Sequence, residues 1–337
     1  KLLGPSQNAR QLASLSSHLV ERLHSPALQA VMSSVLRRGL RFGELITARA
    51  CAPVCSPCAS PVPSGLRPLT VACARHAADT SVADANIGMI RQEFKKQASL
   101  YAPHPKAIDF VMSEVGTVSG DALDVASGTG VFARALAPSC KKVVSFDATK
   151  EMLARAEKTA ANLGIHNIEY QLGDASQLPF EDESFDVVTS RLAIHHFASP
   201  GAIVSEMVRV CKKGGRVILA DIVADDDPEQ HAETDRLEIL RDPSHTACVT
   251  LQALHDLLQT TGCVRVQPHS GNIYMHPLNA KFWMDNTETP EAARAEIETC
   301  FRTELAGGKK TGMQPFVDEK GELSFLHRYA VAQGIRV

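Results

Sequence analysis

This 337-residue sequence has no long apolar run, and its first 78 residues contain few acidic side chains. No stretch reaches the roughly 18 consecutive apolar residues of a membrane-spanning helix, so we predict no membrane span. Residues 1–78 hold two glutamates and no aspartate against one lysine and eight arginines, a net charge of +7, and the other 26 basic and 36 acidic residues give -10. An acidic body exerts no field that attracts polyanions, which argues against a nucleic acid partner.

The extension over residues 1–85 is rich in Ser, Ala and Arg and differs from the main domain that we predict over residues 86–337. Ser25-Pro26 favours the start of a helix that places apolar residues opposite three arginines. This composition is typical of organellar transit peptides, so we predict a mitochondrial presequence, with a plastid presequence as the alternative. If the segment is retained, its basic helix fits a docking arm for an organellar complex.

Four of the nine cysteines lie in the extension, and the other five are scattered singly. Cys51, Cys55 and Cys58 have the spacing by which radical enzymes hold an iron–sulfur cluster. With Cys73 they also match a four-thiolate zinc site. The prolines of residues 53–68 make this stretch extended and loop-like, which argues against both metal sites. We therefore predict no metal site, and scattered cysteines are typical of a reducing compartment.

A glycine-rich loop lies within the sequence Leu-Asp-Val-Ala-Ser-Gly-Thr-Gly, from Leu123 to Gly130. The apolar residues at its start predict a short buried strand, and a helix is predicted from Val131 to Leu136. Gly128 and Gly130 allow a tight turn and leave no side chain in the way of a ligand. In doubly wound sheets this junction is where nucleotide-like ligands bind, so we predict a cofactor loop.

The order of predicted elements indicates an α/β fold. Strands are predicted over residues 122–125, 142–146, 168–172 and 185–190, and an apolar strand over 217–222, with helices over 92–100, 105–115, 150–163 and 203–210. Alternating strands and helices imply a parallel sheet. The predicted domain continues with a charged helical insertion over 225–262, a strand over 263–275, a helical segment over 279–305 and a closing strand over 323–331.

Two acidic residues follow the next two predicted strands. Asp147 ends the second strand, 17 residues after Gly130, where a carboxylate accepts hydrogen bonds from both ribose hydroxyls of an adenosine. Asp174 follows the third strand, where it can accept a hydrogen bond from the adenine amino group while Gly173 and Ala175 admit the ring. These positions predict an adenosine-containing ligand.

Asp124 discriminates between adenosine cofactors. The glycines also satisfy the Gly-x-Gly-x-x-Ala fingerprint of nicotinamide enzymes, which is a weak signal by itself. Asp124, four residues before Gly128, is placed to meet a cationic amino group rather than a phosphate. Three carboxylates and no basic residue in the loop indicate a phosphate-free, positively charged cofactor, and S-adenosylmethionine has both properties.

With these motifs, residues 90–337 resemble a class I S-adenosylmethionine-dependent methyltransferase. The group concerned, methyltransferase type 11, includes the ubiquinone/menaquinone C-methyltransferases. The loop matches the family's first motif, Phe146-Asp147 its second, Gly173–Ala175 its adenine contact and Arg209–Gly215 its turn before the fifth strand. The resemblance implies a Rossmann-like doubly wound sheet of seven strands, six parallel and one reversed, with the helical insertion as a lid. The cofactor contacts that it implies are Asp124, Ala126, Ser127, Gly128, Gly130, Asp147, Ala148, Gly173, Asp174, Ala175 and Arg191.

The predicted enzyme transfers a methyl group to a small molecule. Residues 190–196 and 240–246 look more like uncharacterised small-molecule methyltransferases than the quinone enzymes, so a quinone-like compound and another carbon or oxygen acceptor both stay open. The alternative is an accessory subunit of an organellar complex that binds the cofactor with little turnover. RNA methylation would need a basic groove beside Gly128, and the acidic body argues against it.

A small set of side chains can support methyl transfer. The reaction needs no covalent protein intermediate, but a hydroxyl or carbon acid acceptor needs a general base. His195 and His196, at the mouth of the fourth strand, are the predicted bases, and the alternative is a histidine pair that caps the turn. Arg191 contacts either the cofactor or an acidic substrate. His245 follows a turn signal at Asp242-Pro243, so we interpret it as structural.

Overall fold

The predicted alternation of strands and helices is present in the computed structural model, which describes residues 71–100, 105–266 and 273–337. The helices are α1 Val71–Gln97, α2 Pro105–Val115, α3 Val131–Leu136, α4 Lys150–Asn162, α5 Pro200–Val210, α6 Pro228–Arg241, α7 Leu251–Thr260, α8 Ala280–Asp285 and α9 Glu291–Leu305. The strands are β1 Asp121–Val125, β2 Lys142–Asp147, β3 Ile168–Leu172, β4 Phe185–Arg191, β5 Cys211–Ile222, β6 Cys263–Val266, β7 Tyr274–Asn279, β8 Phe316–Val317 and β9 Leu323–Arg336. A short 3₁₀ helix, Ile194–His196, follows β4.

One sheet organises the domain, with the strand order β3-β2-β1-β4-β5-β9-β6. The strands β1 to β5 are parallel, β9 runs antiparallel to β5, and β6 runs antiparallel to β9. This path therefore has six parallel strands and one reversed strand, which confirms the predicted doubly wound topology. β7 and β8 also pair with β9 and bring the number of strands above the seven that were predicted.

Apolar strands explain why helices cover both faces of the sheet. Neighbouring residues of a strand point to opposite faces, and Ala122 and Leu123 of β1 are fully buried in two separate hydrophobic clusters. In β5, Ile218 belongs to the same cluster as Ala122, and Leu219 belongs to the same cluster as Leu123. Strands buried on both faces are typical of parallel sheets. The strand order reverses between β1 and β4, so their carboxyl ends border a crevice.

The second half of the domain departs from the predicted elements. The strand predicted over residues 263–275 is two strands, β6 and β7, because they pair with different ends of β9. Residues 267–272 between them lie outside the described part. The helical segment predicted over residues 279–305 is interrupted between α8 and α9, where Pro290 precedes the second helix. β5 begins at Cys211, six residues earlier than predicted, because Cys211 already pairs with Phe185 of β4.

The predicted insertion contains α6 and α7. Asp227 and Pro228 begin α6 as the capping rules require, since the Asp227 carboxylate accepts hydrogen bonds from the backbone N–H groups of Glu229 and Gln230. The buried residues of α6 include Glu238, one turn before the end of the helix. The helix thereby carries charged side chains into the interior, where partners must compensate them.

Helix α1 runs from Val71 to Gln97. It therefore includes residue 85, where we predicted the boundary between the extension and the main domain. Residues 1–70, which include the helix predicted after Pro26 and the motif that begins at Cys51, lie outside the described residues. The division at residue 85, the presequence and the mitochondrial location therefore stay predictions. No helix in the described part of the chain is long and apolar enough to span a bilayer.

Candidate active site

Hydrogen bonds to β2 fix the backbone of the loop after β1. Ser127 donates its N–H to the carbonyl oxygen of Phe146 at 3.0 Å. Gly128 donates its N–H to Asp147 Oδ2 at 2.8 Å, and Thr149 donates its N–H to Asp147 Oδ1 at 2.8 Å. The Asp147 carboxylate, at the end of β2, therefore clamps the loop in addition to bordering the space beside it.

Two glycines are required by close approaches at the loop. Gly130 has a φ of 70°, and a Cβ atom there would come within 2.9 Å of the Cβ atom of Ala156 on α4. A Cβ atom at Gly173 would overlap the ring of Phe146. Gly130 thus lets α3 pack against α4, and Gly173 leaves room for an aromatic side chain beneath the crevice.

Asp124 lies on β1 behind the loop and is 1% exposed. Its Oδ1 accepts a hydrogen bond from the Thr189 hydroxyl at 3.0 Å, whereas Oδ2 is buried with no hydrogen-bond partner among the described residues. Burial raises the pKa of Asp124 to about 7, and the Thr189 hydrogen bond and the charge of Arg191 oppose this only in part. At neutral pH the carboxyl group is therefore divided between its protonated and ionised forms, and a cation beside the loop would favour the ionised form.

Two adjoining cavities open at the carboxyl ends of β1 and β4. The smaller cavity, about 500 Å³ including space open to solvent, is lined by residues that include Ile90, Asp147 and Gly173. The larger cavity, about 1020 Å³ on the same measure, has Trp283 and Tyr329 on its wall. Gly128 and His196 border both cavities, so a ligand can extend from one into the other.

Most of the predicted site residues border these cavities. Those that do so are Ala126, Ser127, Gly128, Asp147, Ala148, Gly173, Ala175, Arg191, His195 and His196. Asp124 and Gly130 support the loop without lining either cavity, and Asp174 accepts a hydrogen bond from the N–H of Ser176 at 2.8 Å. Since only the neighbours of Asp174 reach the smaller cavity, its contact with adenine stays a prediction.

A buried carboxylate holds His195. Its Nδ1 lies 2.5 Å from Asp221 Oδ1 on β5, and Asp221 also accepts hydrogen bonds from the N–H groups of Ala193 and Ile194. Burial by itself lowers the pKa of His195, but the Asp221 carboxylate outweighs it, so the pKa is raised. The prediction of a fully apolar fifth strand was wrong at Asp221, which can be buried because these hydrogen bonds compensate its charge.

His196 begins a second hydrogen-bond chain, which ends on α1. Its Nδ1 lies 3.0 Å from Ser244 Oγ, which donates to Asp242 Oδ1 at 2.6 Å. Gln97 Nε2 donates to the other oxygen of Asp242 at 2.8 Å. Because the Ser244 proton points to Asp242, Ser244 accepts the Nδ1 proton of His196, which leaves Nε2 as the basic atom. Burial and the neighbouring His195 lower the pKa of His196 to about 3, so the ring is neutral at physiological pH.

The wall of the larger cavity is aromatic, and its charges are paired. Arg241 lies with its guanidinium 5.0 Å from the centre of the Trp283 ring, and its NH1 group donates to Glu238 Oε2 at 3.3 Å. His327 donates from Nε2 to Glu238 Oε1 at 3.0 Å. Burial by itself raises the pKa of Glu238, but the His327 hydrogen bond and the Arg241 charge hold it well below its usual range. The wall therefore offers apolar faces with its charges already neutralised.

Sequence reasoning missed the site residues that come from distant elements: Phe94, Gln97, Asp221, Asp242, Ser244, Trp283 and His327. The run from Asp242 to His245 contains an acid and a hydroxyl directly after a predicted helix, and this was a usable signal that we interpreted as structural only. No local pattern marks Trp283 or His327. They reach the cavity through α8 and the pairing of β7 with β9.

Known proteins that this chain is similar to include several methyltransferases. A family model described as a methyltransferase domain matches residues 123–219. YcgJ of Bacillus subtilis, an uncharacterised methyltransferase, is 31% identical over 214 residues, which are 64% of this chain and 83% of YcgJ. The crystal structure of YcgJ aligns with a TM-score of 0.60 at 28% identity, over 69% of this chain and 99% of that protein.

Two further proteins extend this comparison. A crystal structure of a candidate methyltransferase from Bacillus halodurans aligns with a TM-score of 0.58 at 29% identity, over 68% of this chain and 96% of that protein. A demethylmenaquinone methyltransferase of Clavibacter sepedonicus is 37% identical over 108 residues. Those residues are 32% of this chain and 43% of that enzyme, so its substrate does not transfer directly.

Proposed function

The chain belongs to the S-adenosylmethionine-dependent methyltransferase family, and we propose that it methylates a small, planar, uncharged molecule bound in the larger cavity. The observation that carries the proposal is the position of His196, a neutral base that borders both cavities. Its basic Nε2 has no hydrogen-bond partner among the described residues, so it is available to an acceptor.

The residues around the smaller cavity fit S-adenosylmethionine. Asp147 Oδ2 holds the loop at Gly128 and Oδ1 accepts from Thr149 after β2, but each oxygen has a second lone pair for a ribose hydroxyl. Asp124 Oδ2, buried without a partner in the described part, supplies negative charge that favours a cationic ligand. No lysine or arginine lines the smaller cavity as far as the structure describes it, so a pyrophosphate would find no charged partner there.

His196 and the chain behind it handle the proton of the acceptor. When bound, S-adenosylmethionine supplies a methyl group on a positively charged sulfur. Nε2 of His196 takes the proton from an acceptor hydroxyl or acidic C–H group as the new bond to the methyl carbon forms. Ser244 and Asp242 orient the ring, and the Asp242 carboxylate stabilises the imidazolium. His196 would gain its positive charge in a site that a bound cationic cofactor had already charged and would then discharge, so the net charge would stay the same and offset the low basicity of a buried imidazole.

The contacts divide the two histidines into different roles within this proposal. His195 is bound through Nδ1 to Asp221, whose other contacts fix the backbone of the 3₁₀ turn, so we assign it to positioning. His196 has the free basic atom and is the residue that we assign to proton transfer. Of the two alternatives that the sequence left open, we assign the general base to His196 and the cap of the turn to His195.

The composition of the larger cavity indicates the acceptor class. Its aromatic residues favour a flat apolar body, because aromatic pairs gain from stacked or edge-to-face contact. Arg241 is already paired with Glu238 and Asp242 with Gln97, so a charged acceptor would find no free counter-ion on this part of the wall. A phenol, a hydroquinone or a quinone-like carbon acid meets these conditions, and methylation of a menaquinone precursor by one relative is compatible with this class.

Replacement of Asp147 by Ala is expected to weaken S-adenosylmethionine binding by about 10- to 100-fold, because hydrogen bonds to a carboxylate are strong and the loop also loses its clamp. Isothermal titration of the full chain measures the effect. Asp182→Ala removes the same charge from an exposed turn and should bind like the wild type. A wild type that releases no heat with S-adenosylmethionine would contradict the cofactor assignment.

The acceptor class is tested by following formation of S-adenosylhomocysteine with panels of phenols, quinols, amines and carboxylic acids. Turnover should occur with members of the first two panels and not with the charged ones. Tight cofactor binding without turnover on any panel would favour the accessory-subunit alternative over catalysis. Turnover confined to a charged amine or acid would overturn the acceptor class but not the family.

A further inference from the structure

A second cluster of reactive side chains lies beside the candidate active site, between α6 and the segment that follows it. Asp235 Oδ1 lies 3.1 Å from His245 Nε2, and Cys248 Sγ lies 3.9 Å from the same nitrogen. The three side chains each present one ligand atom, and these atoms lie within 4.8 Å of one another. No other group of three or more such side chains is this close in the part of the chain that the structure describes.

The distances agree with those of a tetrahedral zinc site. Zinc bonds of about 2.0–2.1 Å to nitrogen or oxygen and about 2.3 Å to sulfur place ligand atoms about 3.3–3.6 Å apart at tetrahedral angles. The observed separations of 3.1 Å and 3.9 Å from His245 Nε2 bracket this range, and all three ligand atoms lie within 4.8 Å of one another. An ion between them therefore requires the side chains to draw together by at most about 1 Å.

A candidate fourth ligand lies on α6. His231 stands one turn before Asp235, and its Nε2 lies 3.5 Å from Asp235 Oδ2 and 3.0 Å from the carbonyl oxygen of Cys248, a contact that it would exchange for the ion. His231 and Asp235 are partly exposed whereas His245 and Cys248 are buried, so an ion can enter from the solvent side and reach the buried pair. Two imidazoles, one thiolate and one carboxylate form a donor set that zinc uses and that magnesium and calcium, which prefer oxygen ligands, do not.

We infer that Asp235, His245 and Cys248, with His231 as the fourth ligand, bind a structural zinc ion. Binding converts the Cys248 thiol to a thiolate and releases its proton to water, while zinc keeps its charge and no electron is transferred. We predicted no metal site from the sequence, because only the cysteines of the extension have a metal-binding spacing. The four ligands here come from a helix and a loop and show no cysteine motif.

The proposed ion would hold the segment that carries the His196 hydrogen-bond chain. Ser244, whose hydroxyl contacts His196, immediately precedes the ligand His245. Thr246, which follows it, donates from both its N–H and its hydroxyl to the carbonyl oxygen of His195, at 2.8 Å and 2.7 Å. An ion fixed to His245 and Cys248 therefore restrains both ends of the stretch on which the active-site histidines depend.

Zinc content of the purified full chain tests the proposal. After chelator treatment, reloading with ZnCl₂ and desalting, mass spectrometry of metals should find about one more Zn²⁺ per chain in the wild type than in Cys248→Ser or His245→Ala. The difference is the informative quantity, because the cysteines of the extension are present in all variants. Cys263→Ser, a substitution of another buried cysteine, should retain the wild-type content. Equal zinc in the wild type and in both ligand variants would overturn the proposal.

X-ray absorption of the zinc-loaded wild type tests the proposal without a variant that has to fold. One sulfur and three nitrogen or oxygen ligands are expected. Four sulfur ligands would assign the ion to the cysteines of the extension and would sink the inference, as would a wild type that retains no zinc. None of these measurements depends on methyl transfer, so the metal site and the proposed function can fail separately.

Discussion

Replacement of His196 by Asn is expected to lower the rate of methyl transfer by about 10²- to 10⁴-fold, the usual contribution of a positioned general base. The amide of asparagine can keep the hydrogen bond to Ser244 but offers no basic nitrogen to the acceptor. S-adenosylmethionine affinity should change little, because His196 is not among the cofactor contacts that we assign and Asn keeps a polar side chain at the boundary of the two cavities. The measurement is a single-turnover rate with the best acceptor from the phenol and quinol panels, accompanied by a cofactor titration.

The residues behind His196 provide a graded control for this prediction. Ser244→Ala breaks the link between His196 and Asp242 but retains the imidazole, so its rate should lie between those of the wild type and His196→Asn. His166→Asn replaces a histidine that belongs to neither cavity lining and should leave the rate unchanged. A full wild-type rate in His196→Asn would remove His196 from the mechanism and leave alignment of the two substrates as the main contribution of the protein.

The pH profile of methyl transfer should show no titration of His196 between pH 5 and pH 8. Because burial lowers the pKa of His196 to about 3, its ring stays unprotonated from pH 5 to pH 8, and it should not cause a loss of rate at the acidic end of that range. The Asp221 carboxylate raises the pKa of His195, so His195 keeps its positive charge to higher pH than an ordinary histidine does. The rate of Ser244→Ala should fall at every pH without a new inflection, since the proton acceptor remains the same.

Much of the lining of the smaller cavity could be predicted because it is built from neighbouring stretches of sequence. Gly128, Asp147 and Gly173 each follow a strand of a parallel sheet, and parallel strands that are adjacent in the sheet bring their carboxyl ends together. Apolar runs identify those strands, and the glycines and acids at their ends stand out against them. The topology up to β5 and the cofactor loop therefore follow from local patterns alone.

The wall of the larger cavity could not be predicted because it depends on pairings between distant segments. Trp283 and His327 reach the larger cavity only because β7 and β9 pair across a long stretch of sequence, and such a register has no local mark. Gln97 comes from α1 and meets Asp242 across 145 residues. Asp221 was overlooked for a different reason, since one acid inside an apolar strand is compatible with burial only when its partners are known.

Replacement of Asp124 by Asn is expected to have opposite effects on stability and on cofactor binding. In the free protein the pKa of Asp124 is raised by burial from 3.8 to about 7, so the folded state binds more protons than the unfolded state between these two values. The contribution of this group to the free energy of unfolding therefore falls as pH rises from 4 to 7, by about 4 kcal/mol in total. Asn carries no charge at any pH and retains an oxygen that can accept the Thr189 hydrogen bond.

The free Asp124→Asn protein should accordingly be more stable than the wild type at pH 8, by up to about 4 kcal/mol, with the difference vanishing near pH 4. Urea unfolding of both proteins at the two pH values measures this difference. An equal difference at both pH values would show that Asp124 does not titrate as its burial implies, and a less stable variant at pH 8 would show that the charge is compensated in the free protein.

Cofactor binding should respond to the same titration with the opposite sign. Ionised Asp124 attracts a cation, so the affinity of the wild type for S-adenosylmethionine should rise as pH increases from 5 to 7, by up to about tenfold per unit. Asp124→Asn should bind S-adenosylmethionine more weakly at pH 7, and its affinity should depend little on pH. The ligand's own titration affects both proteins equally, so it cancels in the ratio of the two affinities. If the wild type binds S-adenosylmethionine more tightly than Asp124→Asn but unfolds more easily without it, the Asp124 carboxylate serves ligand binding at the expense of stability. The buried acid is then explained by the charge of its ligand.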